Sequence, residues 1–283
     1  MSAAPVAAAA FARRERTIAV GGRHVYVSER DGEGTPLLLI TGLGGTVAMW
    51  SALRDALAPR PTIAFDLPGA GRSPAPRWPM SIPALARMTD ELLDLLGVRR
   101  ADVLGFSLGG LIAEQLAWSA PRHVRRLVLA STNAGWGSMP GHPRTFANLL
   151  SLRRLHDPEE FARQAPKLLG GLMRSRPELV RAAARARVAE PQSVRGYICQ
   201  LSSCASWSNV PFLPLIRQPT LILCGDDDPL ARPFNSRWMV HLIPRAQLHL
   251  IRGGGHYLVL ERPDEFAEIV TDFLGAPRAA GPG

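Results

Sequence analysis

The chain has 283 residues, 46% of them hydrophobic, with 26 glycines and 25 prolines spread along it, which is enough apolar material for one sizeable core. Arginines or prolines interrupt every apolar run before the roughly 18 to 20 residues needed to cross a bilayer, so an integral membrane protein is excluded. The formal net charge of +9 raises nucleic-acid binding, but Lys167 is the only lysine among 33 basic residues and the arginines are scattered; nucleic acid is not an expected partner.

Residues Val6 to Ala12 form a small apolar run with no basic residue before it and Arg13, Arg14 and Arg16 after or beside its end. That is the wrong order for a signal peptide, so a cytoplasmic protein with a disordered tail over 1–15 is expected. Arg16 to Val20 and His24 to Glu29, joined at Gly21-Gly22, read as an antiparallel hairpin. Leu37 to Thr41 reads as a strand covered on both faces, Val47 to Leu57 as a helix and Thr62 to Asp66 as a strand. A helix from Ile82 to Leu96 closes at Gly97, Asp102 to Phe106 is a strand, Leu108 to Trp118 a helix and Arg126 to Ser131 the sixth strand.

The rhythm then changes. Residues 133–214 offer helical stretches such as Pro158 to Leu169 and Pro177 to Val188, broken by Gly-Pro-rich joints, and are expected to form a helical cap. The sheet pattern resumes with a strand at Thr220 to Cys224, a helix at Arg232 to Leu242, a strand at Gln247 to Ile251 and a helix at Pro263 to Leu274. The layout is an α/β fold with a mostly parallel sheet of about eight strands, a core of 16–132 and 215–275, the cap after the sixth strand, and a flexible tail over 276–283. The three cysteines, Cys199, Cys204 and Cys224, lack metal or disulfide spacing and are expected as buried free thiols.

Gly105-Phe106-Ser107-Leu108-Gly109 lies where a predicted strand turns straight into a predicted helix. Such a turn strains the serine, exposes its hydroxyl, and needs glycine two residues to either side. A serine becomes nucleophilic only beside a base, and the base needs a carboxylate to hold its tautomer. Of the seven histidines, His256 follows Gly253-Gly254-Gly255 after the last predicted strand and is the expected base. His24 and His249 lie in predicted strands, and His123, His142, His156 and His241 lie on helix ends or in the insertion, where solvated rings are expected. Asp228 is the expected acid, with Asp227 second; the order Ser107, Asp228, His256 is that of α/β-hydrolases. Thr41-Gly42-Leu43-Gly44-Gly45 can supply a second backbone donor, so the oxyanion hole is assigned to the N–H groups of Leu43 and Leu108.

These residues together resemble the α/β-hydrolase fold over Thr35 to Leu274, as does the run Ala64 to Ser73. The segments Ile216 to Leu230, Ile243 to Ile251, Leu127 to Thr132 and Arg195-Gly196-Tyr197 resemble the intracellular depolymerases of medium-chain polyhydroxyalkanoates. That family carries tryptophan where Leu108 stands and asparagine where Thr41 stands. The resemblance implies hydrolysis of aliphatic or 3-hydroxyacyl (poly)esters through Ser107, His256 and Asp228, with no metal or organic cofactor and with an apolar granule surface as a partner. Thioesterases and lactonases keep the same three residues, and a non-catalytic ligand binder is the rival from another class. In the cap, Trp136, Met139, Leu168, Leu169, Leu172, Met173, Trp207 and Phe212 are the expected acyl-binding residues, and glycines at Gly135, Gly137 and Gly170-Gly171 the expected joints on which it opens.

Overall fold

The computed structural model describes residues 11–141, 145, 148–190 and 193–276. Eight strands form one sheet: β1 (Arg13–Val20), β2 (Arg23–Arg30), β3 (Leu37–Ile40), β4 (Thr62–Phe65), β5 (Ala101–Phe106), β6 (Val124–Ala130), β7 (Thr220–Gly225) and β8 (Ala246–Ile251). Their order is β1-β2-β4-β3-β5-β6-β7-β8. The first two pairings are antiparallel and all later ones parallel. β1 starts at Arg13, so the expected disordered tail is too long by three residues: Arg13, Arg14 and Glu15 pair with Arg30, Glu29 and Ser28. Of the rest of the expected tails, Phe11, Ala12 and Ala276 are described, and 1–10 and 277–283 lie outside the described residues.

Strands β3, β4 and β5 are buried along their whole length. Alternation of side chains divides the apolar material between the two faces. Leu38 and Ile40 pack with α2 (Ile82–Leu95) and α3 (Leu108–Ser119). Leu37 and Leu39 pack on the other face, with Leu53 of α1 (Ser51–Ala56) and with Phe266 and Val270 of the last helix. The helix expected over Val47 to Leu57 divides: Val47–Trp50 is a 3-10 turn leading into α1. The Val47 N–H donates to the Asp66 carboxylate at 2.7 Å, which bends the entry of the helix toward the sheet.

Between β6 and β7 the chain carries α4 (Pro158–Leu169), α5 (Pro177–Ala189) and α6 (Val194–Ala205). Phe161, Ala165, Leu168, Leu169, Met173, Val180 and Ala183 form a small apolar cluster of their own there. After β7 come α7 (Pro233–Leu242), then β8, the short α8 (Leu258–Glu261) and α9 (Pro263–Gly275). Among the described residues no helix is long and apolar enough to cross a membrane. The three cysteines are free; Cys199 and Cys224 are buried and Cys204 is half-buried.

Candidate active site

Ser107 stands between β5 and α3 with φ +53°, a conformation rare for a residue with a side chain. The flanking glycines leave no room for anything larger. A Cβ on Gly105 would lie 2.4 Å from the Gly109 carbonyl oxygen, and one on Gly109 would lie 2.1 Å from that of Ile40. The Ser107 N–H donates to Ala130 of β6, and its carbonyl accepts from the Thr132 hydroxyl at 2.7 Å, so the strained turn is held from the neighbouring strand.

The loops after β7 and β8 bring the other two groups to the same edge. His256 Nε2 lies 3.1 Å from Ser107 Oγ, and Nδ1 lies 2.9 Å from Asp228 Oδ2. With the ring proton on Nδ1, the imidazole donates to the carboxylate and accepts the serine hydroxyl. Asp228 is oriented by the N–H groups of Leu230 and Ala231, which donate to its Oδ1 at 2.8 and 2.9 Å. Asp227 points elsewhere: its Oδ2 accepts from Gly171 N–H at 2.8 Å and pairs with Arg174 at 3.0 Å. Asp226 in turn accepts from Gly253 N–H at 2.6 Å. The three adjacent carboxylates thus orient a histidine, hold the segment after α4 and shape the glycine turn before His256.

Leu43 lies beside the serine. Gly42 approaches so closely that a Cβ on it would be 3.0 Å from Ser107 Cβ, and Gly42, Leu43, Ser107 and Leu108 line one cavity. Leu108 opens α3, where a backbone N–H has no acceptor within the helix. Among the described residues neither the Leu43 nor the Leu108 amide is engaged by a protein acceptor. The loop is held by Gln200 of α6, which accepts from Gly44 N–H at 2.9 Å and donates to the Pro68 carbonyl at 3.1 Å. Sequence reasoning missed Gln200. Gly196, Gln200 and Ser203 are a small and polar stripe at helical spacing on the buried face of α6, and that pattern was the available signal.

The cavity beside Ser107 and His256 has a volume of about 490 Å³. Of the expected acyl-binding residues, Trp136, Met139, Leu168 and Leu169 line it, and Leu172, Met173, Trp207 and Phe212 do not. Met173 is drawn into the cluster with Phe161 and Leu168. Phe212 stacks on Trp118 of α3, with ring centroids 4.5 Å apart, and on Trp207 at 6.1 Å, and so seals the segment onto α3. Leu172 gives its N–H to the Glu261 carboxylate. Trp136, at 78% exposure, stands at the cavity mouth.

Other histidines stay away from Ser107. His156 and His241 are exposed as expected, His24 and His249 in their strands are exposed too, and His142 lies outside the described residues. His123, expected to be solvated, is buried, with its two ring nitrogens 2.7 Å from Asp90 and 3.1 Å from Asp94. Glu261 is also buried; it accepts from Gly255 and Leu172 N–H groups, and burial pushes its carboxyl above the usual range.

The profile of the alpha/beta hydrolase fold family matches residues 35–263. The chain therefore belongs to the α/β-hydrolase fold family and is a hydrolase. It is 38% identical over 266 residues to a poly(3-hydroxyalkanoate) depolymerase from Ectopseudomonas oleovorans, the match covering 93% of each chain. Among solved structures, it superposes on the enol-lactonase of Burkholderia xenovorans LB400 with a TM-score of 0.81 and 26% identity, covering 92% of this chain and 100% of that one. A hydrolase from Pseudomonas aeruginosa PA01 gives a TM-score of 0.77 at 29% identity, over 93% and 98% of the two chains.

Proposed function

We propose that the protein is a carboxylic ester hydrolase acting on aliphatic or 3-hydroxyacyl (poly)esters through an acyl-enzyme, with Ser107 as nucleophile, His256 as base and Asp228 as its orienting acid. The observation that carries this reading is the hydroxyl–imidazole–carboxylate line, at 3.1 and 2.9 Å, opening into a cavity walled largely by apolar side chains. In the first step Ser107 Oγ attacks the ester carbonyl while His256 Nε2 takes its proton, and Asp228 stabilises the imidazolium. The N–H groups of Leu43 and Leu108 then receive the oxyanion, each such donor contributing about 3 to 4 kcal/mol of transition-state stabilisation. His256 returns the proton to the departing alcohol. Water activated by the same ring cleaves the acyl-enzyme and restores Ser107.

The segment 133–214 acts in this reading as a cap that selects the acyl chain, with Trp136 and Met139 at the entrance and Leu168 and Leu169 deeper in. The likeness to a poly(3-hydroxyalkanoate) depolymerase supports a hydroxyacyl ester as substrate. The likeness to an enol-lactonase supports a second reading, lactone opening by the same three residues.

A fluorophosphonate probe tests the nucleophile: labelling of the wild type that disappears in Ser107→Ala supports the mechanism, and a folded protein that takes no label overturns it. Rates on a short soluble ester, an emulsified medium-chain polyester and a lactone then choose between substrates. Turnover of the short ester with none of the polyester discards the depolymerase reading.

A further inference from the structure

Among the described residues that line it, the cavity carries two cations and no anion. Of its lining residues the charged ones, apart from the His256 ring, are Arg154 and Arg187, and no aspartate or glutamate is among them. Arg154 is 3% exposed and is already engaged: its Nε donates to the Asn148 carbonyl at 3.1 Å, and its Nη2 donates to the Leu149 carbonyl at 3.2 Å and to the Tyr197 hydroxyl. Arg187, on α5, has no ion pair or hydrogen bond among the described residues. Its guanidinium carbon lies 5.7 Å from the centroid of the Phe161 ring, and its Nε and Nη2 are buried with no hydrogen-bond partner among the described residues.

Burial pushes Arg154 below the usual guanidinium range, and Arg187 adds to this as a neighbouring like charge. Neither guanidinium has an ion-pair partner among the described residues. A buried Arg154 beside a half-buried Arg187 whose Nε and Nη2 lack partners among the described residues is costly unless a ligand brings the missing charge. A neutral ester oxygen would accept a hydrogen bond and leave the charge uncompensated. A carboxylate does both, because its two oxygens match the fork of a guanidinium. Phe161, Leu168, Leu169 and Tyr257 line the same cavity as this pair and Ser107, an apolar lining suited to an aliphatic chain.

We propose that Arg187, backed by Arg154, binds a carboxylate carried by the substrate, so that the substrate is the free-acid end of a hydroxyacyl oligomer and not the interior of a polyester chain. This inference rests on the ester-hydrolase reading above. It makes Arg187 a specificity-determining residue, remote from the scissile bond.

The experiment compares the linear dimer of 3-hydroxyoctanoate with its methyl ester, each followed by product release. Wild-type enzyme should favour the free acid by about tenfold or more in kcat/KM at low salt, the size expected for a charge-assisted contact. Arg187→Met should bring that ratio to about one, chiefly by raising KM for the acid, and Arg187→Lys should keep part of it. A wild-type ratio at or below one overturns the proposal whatever the variants do. So does a ratio that Arg187→Met leaves unchanged. If the methyl ester and simple p-nitrophenyl esters are cleaved without any preference for the acid, the carboxylate site alone fails; if no ester is cleaved, the underlying hydrolase reading fails as well.

Discussion

Asp228 uses one carboxylate oxygen on the His256 ring and the other on the amides of Leu230 and Ala231, whereas its neighbour Asp227 holds Gly171 and Arg174. Asp228→Asn should therefore lower kcat on a p-nitrophenyl ester by about 10³- to 10⁴-fold with little change in melting temperature. Asp227→Asn should keep kcat near wild type and lose about 1 kcal/mol of stability, since its bonds are part-exposed. Kinetics and urea titration of the two variants separate these outcomes. Asp66 offers a pH test. Burial pushes its carboxyl up to about 6 from 3.8, against the N–H donations of Arg72 and Val47. The folded state then keeps its proton where the unfolded chain has lost it, so stability contributed by this group is present below about pH 4 and is lost as pH rises through about 6. The loss amounts to about 3 kcal/mol at most. Measured by urea unfolding, the stability difference between wild type and Asp66→Asn should shift in favour of Asn across that window. Ser107, Asp228 and His256 were legible in the sequence because each follows a strand and carries chemistry that a loop has no other reason to place there. Arg187 was not: in a chain so rich in arginine, one more on an amphipathic helix reads as a solvated face, and only tertiary docking reveals that its donors are buried.

At the scale of elements, the glycine-serine turn between β5 and α3 works because backbone meets backbone. Gly109→Ala would drive a methyl group to within 2.1 Å of the Ile40 carbonyl, and should cost about 2 to 3 kcal/mol of stability together with most activity, read by urea titration and ester turnover. Helix α6 is docked by the same device: a Cβ on Gly196 would lie 2.3 Å from the Gly69 carbonyl oxygen, while Gln200 one turn on bridges Gly44 and Pro68. Gln200→Ala should loosen the loop that carries Leu43, lowering kcat by roughly tenfold while costing about 1 to 2 kcal/mol of stability. Strands β3, β4 and β7 were legible as short runs that are apolar but for the opening threonines Thr62 and Thr220, because burial on both faces leaves little room for polar side chains. The facing of cap side chains was not. Met173 and Leu169 are both apolar and four residues apart, yet one closes on Phe161 while the other also reaches the cavity, a choice made by docking and invisible in local pattern. The 3-10 turn at Val47–Trp50 was missed for a similar reason: the Asp66 carboxylate that shapes it comes from the other side of β4.

For the whole molecule, three of the four glycines expected to serve as joints, Gly135, Gly170 and Gly171, make close backbone contacts, and Gly137 does not. Gly170 and Gly171 press against the loops after β7 and β8: a Cβ on Gly170 would meet the Asp227 carbonyl oxygen at 2.1 Å, and one on Gly171 would meet Gly255 N at 2.1 Å. Gly135 is likewise pressed against Trp207, whose carbonyl accepts from Trp136 N–H at 2.8 Å. The contacts of Gly170 and Gly171 fasten the segment between β6 and β7 to the sheet edge, and that of Gly135 closes the segment on itself. Urea unfolding should accordingly be a single transition, with tryptophan fluorescence and far-ultraviolet circular dichroism coinciding; two separated midpoints would show that the fastening is weak. One of these contacts reaches the chemistry itself, for the His256 N–H donates to the Leu169 carbonyl at 2.6 Å, at the end of α4. The backbone of His256 is thereby tied to the segment that, in the proposed mechanism, selects the acyl chain. A chimera that grafts foreign helices onto this sheet to change its diet must import a matching carbonyl at that junction, or the transplanted enzyme will inherit a new mouth and a misplaced base.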